Sequence, residues 1–395
     1  MRTEDQLTVL LPLKDRGEFT LRWMTYAERA RFPFKVLIAD GGSDASVQAL
    51  LAERERFPNV DYEYIRYPED TDYLRYYAKI EDALRRVRTP FVAMADNDDF
   101  LVPNALENSV QFLKANPDYA ACGGQGALFW VVPDPAEGES GLLYGEHVDW
   151  KVTSLGRSSD ATSAAERLRR LPISIADPMY YDVRRTSDAC RQFQIVRRLN
   201  LEDLFLVEHL LQFLTVISGK TKRIEHLFLA RQHNAPGSSG IAHERRFGDW
   251  MGRMLVESWS GDFAKFLSAT SDALAAADRI PLEEARDLVV ATYRKQIAPA
   301  LLSDLLGEST ITLPMVTILP AVRWLVGQPE KSLLKRILRW LYRRLRWISL
   351  DAVLGTEIFT KPAAATYRDF RPIKEFLVSR RSSEGYAERI PTSGT

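Results

Sequence analysis

Three aspartates fall within four positions at Asp96-Asn97-Asp98-Asp99, directly after the mostly apolar run Phe91–Ala95. Carboxylates this close repel one another, so something positive has to accompany them. The chemistry suits a divalent cation. Mg2+ is commonly held by one or two carboxylates plus phosphate oxygens, and Mn2+ favours the same hard ligands. A partner carrying a diphosphate would complete the coordination. An EF-hand calcium loop fails on spacing, because its fifth and sixth positions would be Phe100 and Leu101 instead of an acid and a glycine. A phosphate-binding P-loop motif is absent too. The plain structural alternative is an Asp/Asn turn in which one aspartate caps a helix starting near Pro103.

The elements around this turn have to bring it to a usable place. "LTVLLPL" and "KVLIAD" are short β-rich runs that end in polar turn residues, "VDYEYIRY" alternates as a strand does, and "FVAMAD" is a further strand. "SVQALLAERERF" and "YLRYYAKIEDALRRV" carry helical spacing. Strand–helix–strand repetition of this kind predicts an α/β fold with a mainly parallel sheet wrapped by helices. Ligands bind such sheets outside the carboxyl ends of the strands, which is where the acidic turn falls. Beyond it, "YAACGGQGALFWVV" reads as a strand region, "PDPAEGESG" as a loop and the Arg-rich stretch 151–176 as helical. "ADPMYYDVRRT" reads as a turn into a strand, "NLEDLFLVEHLLQFLTVI" as an apolar helix and "KRIEHLFLARQHN" as a strand. "APGSSG" marks a break.

Composition sets the outer bounds. The 395 residues are enough for a large core and more than one folded unit. With 53 basic and 53 acidic residues the formal charge is zero, so the chain as a whole is not drawn to nucleic acid or membrane. Two cysteines, Cys122 and Cys190, make neither a disulfide framework nor a zinc site, which fits a reducing compartment. No signal peptide or spanning helix is expected; "ITLPMVTILPAVRWLVG" is interrupted by two prolines and Arg323.

Taken together, "LLPLKDR", "IADGGSDAS", "MADNDDF" and "NLEDLFLVEHLL" resemble the family 2 glycosyltransferases of GT-A fold, over about the first 235 residues. That family uses a nucleotide-sugar donor and a DxD-type metal motif, and its members are usually inverting and metal-dependent. The resemblance implies the following roles. Asp96-Asn97-Asp98 matches the D-x-D, with Asp96 near the ribose and Asp98 on the metal; Asp99 is a frequent extra acid. Asp40 would contact the nucleoside, Pro12 and Lys14 lie in the opening donor loop, and Lys79 helps hold the nucleotide. Asp203 matches the catalytic base, with Glu202 beside it. His233 matches a histidine near metal and diphosphate, and Arg231 would offset diphosphate charge. Two departures stand out. Gly41 replaces an acid of the family's D-D-G-S, and Lys79-Ile80 replaces an R-N pair.

Each of these residues also has a local reading. Asp40 suits a turn before a helix capped by Ser43 or Asp44. With Asn200 as a helix N-cap, Glu202 and Asp203 become first-turn acids that favour the helix dipole. Glu208 and His209 lie further inside that helix and read as structural. His233 suits a strand end, Arg184 and Arg185 suit surface salt bridges, and one of Tyr180 and Tyr181 suits the core. At the far end, Leu334, Ile337, Leu338, Leu341, Leu345 and Ile348 recur at helical spacing among basic residues over 331–350. This fits a helix on an anionic membrane surface, or a packed terminal helix with a solvated basic face.

The expected organisation is a GT-A catalytic domain over 1–238, a helical domain over 239–329 and a basic amphipathic helix and tail over 330–395. The expected activity is that of an inverting glycosyltransferase using Mn2+ or Mg2+. The donor would be a nucleotide-diphosphate sugar and the acceptor a glycan or lipid-linked sugar in surface polysaccharide assembly. The expected location is the cytoplasm, peripheral on the inner membrane face, with no nucleic-acid partner. A GT-A-like nucleotidyltransferase and a catalytically silent, membrane-docked binding module remain the alternatives.

Overall fold

The computed structural model describes residues 4–132, 142–153, 158–171, 179–236, 243, 245–306 and 364–378. Four parallel strands open the fold: β1 (Leu7–Leu13), β2 (Lys35–Asp40), β3 (Tyr62–Arg66) and β4 (Phe91–Met94), side by side in the order β3-β2-β1-β4. β1 is buried along its whole length, as befits a central strand covered on both faces. Helices α1 (Gly17–Arg29), α2 (Ala45–Ala52) and α3 (Tyr73–Arg86) connect these strands.

Pro12 sits in β1 without cost to the ladder. The carbonyl of Leu10 receives the N–H of Ala95 and that of Leu13 receives Gly41, so even positions face β4 and odd positions face β2. Pairing with β4 ends at Leu10 and Met94, one step before the missing N–H of Pro12 would be needed. The departure of β4 opens the sheet edge where Leu13, Asp40 and the acidic turn all end.

The second half of the sheet is mixed. After β5 (Phe100–Leu101) and α4 (Pro103–Ala115) come β6 (Tyr119–Val132) and β7 (His147–Thr153), which pair antiparallel. Then follow α5 (Ala164–Arg169), β8 (Val183–Arg185), α6 (Thr186–Leu199), α7 (Leu204–Ser218) and β9 (Lys220–Gln232). β8 runs antiparallel between β4 and β6, β9 lies parallel to β6, and β5 closes antiparallel on β9. The α/β class expected from the sequence is the one observed.

Asn200 does not cap α7. It ends α6 in the left-handed conformation (φ 54), and the N-cap of α7 is Asp203, whose carboxylate accepts the N–H of Leu206 at 2.9 Å. A left-handed Asn is a common helix stop, so the same residue type signals an end here instead of a start. Nor do Arg184 and Arg185 form surface salt bridges. Arg184 is buried and donates to Gln192 and the carbonyl of Tyr180, while Arg185 donates to the carbonyls of Leu113 and Asn116.

The later helices are α8 (Trp250–Met254), α9 (Glu257–Asp278), α10 (Leu282–Leu306) and α11 (Ala364–Val378). α9 packs along α7 and α10 packs on α9 and α5. α11 returns to the sheet: Phe370 stacks on Trp150 at 4.3 Å, Phe376 meets Tyr26, Phe100 and Tyr144, and Asp369 accepts the N–H of Leu227 at 3.1 Å. No described helix is long and apolar enough to cross a membrane. The basic stretch 331–350 and the loop at 133–141 lie outside the described residues.

Candidate active site

The acidic turn leaves β4 at the open sheet edge and is closed by the N–H of Asp99 on the carbonyl of Asp96. One carboxylate oxygen from each of Asp96, Asp98 and Asp99 lies within 4.8 Å of the others. Both terminal nitrogens of Arg16 donate to one oxygen of Asp98, each at 3.1 Å. Arg16 reaches it from the head of α1 through two successive left-handed residues, Asp15 (φ 57) and Arg16 (φ 61). Asp99 accepts Nε of Arg231 at 3.0 Å and the N–H of Gln232 at 3.1 Å. Asp96 accepts the hydroxyl of Tyr181. The amide of Asn97 turns inward to Thr20 at 3.1 Å and holds the loop instead of facing the crevice.

Two guanidinium groups pair with carboxylates in this turn, Arg16 with Asp98 and Arg231 with Asp99, and the buried Arg22 donates to the carbonyl of Asp98 at 2.9 Å. Burial, reinforced by the neighbouring acids, pushes the Asp99 carboxyl up to about 8; burial and the charge of Asp98 raise Asp96 as well. An all-oxygen donor set of three clustered carboxylates fits a hard divalent cation such as Mg2+ or Mn2+. Arg231 also lies 5.1 Å over the ring of Tyr181, which ties β9 to the residue on Asp96.

His233 is not among the three clustered carboxylates. It is exposed at the end of β9, its ring 5.0 Å from Trp130 and its backbone N–H on the carbonyl of Phe129. Burial, Lys151 and Arg231 lower its pKa, so it is neutral at pH 7.

The adjoining corner brings together β1, β2 and α3. Asp40 is buried and accepts from the N–H of Gly42 (2.8 Å), the hydroxyl of Tyr64 (2.7 Å) and Arg66 (2.6 Å). Asp15 gathers the N–H groups of Ser43 (2.6 Å) and Asp44 (3.0 Å), joining the loops after β1 and β2. Lys14 is exposed at this rim. Lys79 does not present its ammonium to the crevice. It is 3% exposed, and donates to Asp70 and, at 2.7 Å, to the carbonyl of Leu13.

Asp70 also explains why position 41 is glycine. A Cβ at Gly41 would lie 2.6 Å from Oδ1 of Asp70. The carboxylate of Asp70 fills the space where a side chain at 41 would stand. Gly41→Ala should therefore lower stability by about 1–3 kcal/mol, measured by chemical denaturation, because the buried Asp70–Lys79 pair has to shift.

Asp203, at the head of α7, is enclosed. One oxygen caps the helix and the other faces Nε2 of His243 and Nε of Arg253, both at 3.6 Å. His243 is itself packed among Tyr73, Phe205 and Phe247, and Arg253 lies over Phe205 and Trp250. Burial acts to raise the pKa of Asp203, but His243, the Leu206 N–H and Arg253 outweigh it and leave it lowered. Glu202 is exposed, and its N–H donates to Asp262 of α9 at 2.6 Å, as does the N–H of Asp203 at 3.3 Å.

Residues 8–142 match the family model described as glycosyl transferase family 2. This segment is similar to the family 2 glycosyl transferases. A search of curated proteins returns no match. Among solved structures, S. aureus TarS is 12% identical, with 74% of this chain and 55% of that chain covered and a TM-score of 0.39. TarS 1–349 in complex with UDP-GlcNAc is 10% identical, with 74% and 73% covered and a TM-score of 0.43. The mannosyltransferase PcManGT from Pyrobaculum calidifontis, in complex with GDP-Man and Mn2+, is 14% identical, with 89% and 86% covered and a TM-score of 0.40. The chain thus spans little more than half of the TarS chain at 55%.

The family 2 segment holds the acidic turn, Asp40, Asp70 and Arg16; Tyr181, Asp203, Arg231 and the later helices lie beyond it. Several site residues escape a reading of the sequence. Arg16 looks like one more surface arginine in "LKDRGEF", and only its left-handed backbone turns it onto Asp98. Asp70 has a sequence-level signal only in hindsight, as an acid close to an absent one. Asp262 belongs to a helix far along the chain. His209 is buried with Nδ1 2.6 Å from the carbonyl of Phe205, which agrees with a structural role.

Proposed function

We propose that the chain is an inverting, divalent-metal-dependent glycosyltransferase. It moves a sugar from a nucleotide-diphosphate donor to a glycan or lipid-linked acceptor in surface polysaccharide assembly. The observation that carries this reading is the convergence of Asp96, Asp98 and Asp99 at the open edge of the sheet, inside or bordering the family 2 segment's nucleotide-side loops.

Asp98, with Asp96 or Asp99, would hold the cation, and His233 stands at the rim as a neutral ligand candidate. A bound Mn2+ or Mg2+ would offset the charge of the donor diphosphate and of the leaving nucleoside diphosphate. Arg231 and Arg16 are the guanidinium groups placed to share that charge. Asp40 with Tyr64 and Arg66, together with Pro12 and Lys14, forms the nucleoside side. Lys79 supports it from behind by fixing the carbonyl of Leu13. Asp203 and Glu202 are the carboxylates that the resemblance assigns to the acceptor side. The basic stretch 331–350 is the segment we assign to an anionic membrane surface.

A thermal-shift screen of UDP, GDP, ADP and CDP, each with and without Mn2+, tests the reading. One nucleoside diphosphate should raise the unfolding midpoint in Mn2+ and not in EDTA, because a ligand stabilises in proportion to its occupancy of the folded state. No shift with any nucleotide in Mn2+ would remove the proposal.

A further inference from the structure

The outer half of one sheet face is partly open to solvent and leads away from the acidic turn. Register places Leu128, Trp130 and Val132 of β6 on the same face as His147, Asp149 and Lys151 of β7 and Arg231 of β9. The contacts agree. The ring of His233 lies 5.0 Å from that of Trp130, and Nζ of Lys151 lies 5.6 Å from the same ring. The opposite face is occupied by α11, where Phe370 meets Trp150 at 4.3 Å and Phe129 at 6.3 Å. On the open face Leu128, Trp130 and Lys151 are half-buried, His147, Asp149 and His233 are exposed, and Val132 is 40% exposed.

Arg231 ties this face to the acidic turn. Its Nε donates to Asp99 at 3.0 Å, and its guanidinium lies 5.1 Å over Tyr181, the residue on Asp96. His233 stands two positions further on, about 7 Å along the strand, and touches Trp130. A molecule stacked on Trp130 therefore lies beside the place where a donor diphosphate would be held. The residue types select its class. A pyranose with equatorial hydroxyls has a C–H face that packs on an indole, and its hydroxyls point outward to a polar rim. An indole offers that area at little conformational cost. Lys151 and His233 flank the ring, and His147 meets Asp149 at 2.7 Å with both side chains more than half exposed. A lipid tail or an apolar protein patch laid here would strip water from these groups without replacing it.

We propose that Trp130 is the platform on which a sugar ring of the acceptor glycan stacks, with Lys151 and His233 engaging its hydroxyls. The inference rests on the glycosyl-transfer reading above and names the acceptor subsite of that reaction. The reacting end of the glycan lies toward Arg231, and its further units run outward past Val132 and His147.

The test uses the full chain with Mn2+ and three soluble probes: cellotetraose, chitotetraose and a hyaluronan tetrasaccharide, whose carboxylates Lys151 would favour. Saturation-transfer NMR and calorimetry read the binding. At least one tetrasaccharide should bind the wild type, with saturation strongest at the axial ring protons of the stacked face. Trp130→Ala should weaken that binding by about 10–30-fold, the effect of removing a buried aromatic anchor, and Trp130→Phe should keep most of it. Mn2+-dependent binding of UDP or GDP and the unfolding midpoint should stay as in the wild type for both variants, which separates a lost platform from a damaged sheet. A wild type that binds UDP or GDP but none of the tetrasaccharides, or a Trp130→Ala protein that binds them as tightly as the wild type, overturns the platform and leaves glycosyl transfer standing. A wild type that binds no nucleoside diphosphate in Mn2+ overturns the glycosyl-transfer reading and this inference together.

Discussion

Asp98→Ala is expected to lower turnover by on the order of 10³-fold or more and to abolish Mn2+-dependent binding of the nucleoside diphosphate. The size follows from what a cation contributes when charge builds on a leaving diphosphate, several kcal/mol of transition-state stabilisation, and each ~1.4 kcal/mol is tenfold in rate. Among the described residues, the side-chain partner of Asp98 is Arg16, which meets it at 3.1 Å. Asp99 is fixed by Arg231 and the Gln232 N–H, and Asp96 by Tyr181. An arriving cation therefore competes with Arg16 at Asp98. Titration calorimetry with MnCl2 reads the binding directly: wild type binds and Asp98→Ala does not. Arg16→Gln should bind Mn2+ more tightly than wild type, because a competing positive charge has gone. Unchanged Mn2+ affinity in Asp98→Ala would show that the cation belongs elsewhere.

Asp70→Ala should cost about 3–5 kcal/mol of stability, the usual penalty for leaving one member of a buried ion pair without its partner. The Asp70–Lys79 pair is nearly inaccessible, with side chains 1% and 2% exposed. Burial pushes the Asp70 carboxyl up and the Lys79 ammonium down, each opposed by the other's charge. Remove the carboxylate and the ammonium keeps its desolvation cost while losing the partner that offsets it. Its remaining bond, to the carbonyl of Leu13, holds the end of β1 against α3. Urea denaturation followed by circular dichroism measures the loss. The double variant Asp70→Leu/Lys79→Met should recover much of it, because the buried charges go together. A loss below 1 kcal/mol in Asp70→Ala would mean that Lys79 finds water.

The sequence speaks clearly where one physical signal dominates. β1 and β2 are short β-rich runs, and α3 shows a clean amphipathic period, so their limits can be read from residue order. α1 and α6 cannot be read that way. Each buries polar side chains in its inward face: Arg22 donates to Gln232, to the carbonyl of Asp98 and to that of Leu143, and Gln192 bonds Arg184 and Thr215. A pattern reading assigns such residues to solvent, and the apolar stripe disappears. The candidate site divides in the same manner. The acidic turn is local and visible in four consecutive letters. Its neutralising arginines come from 82 and 132 positions away, and no spacing rule connects them. Lys79 was legible as a basic residue near a nucleotide site, but its partner Asp70, which turns it inward, exists only in three dimensions.

The return of α11 to the sheet makes a helix late in the chain part of the first fold layer. α10 is fastened to α5 and α9, and α11 is fastened to β7 and β9. Phe370 and Phe376, near the far end of the chain, thereby become part of the packing around Trp150, Tyr26 and Phe100. Stability of the sheet layer is therefore tied to a helix more than 130 positions beyond its last strand, β9.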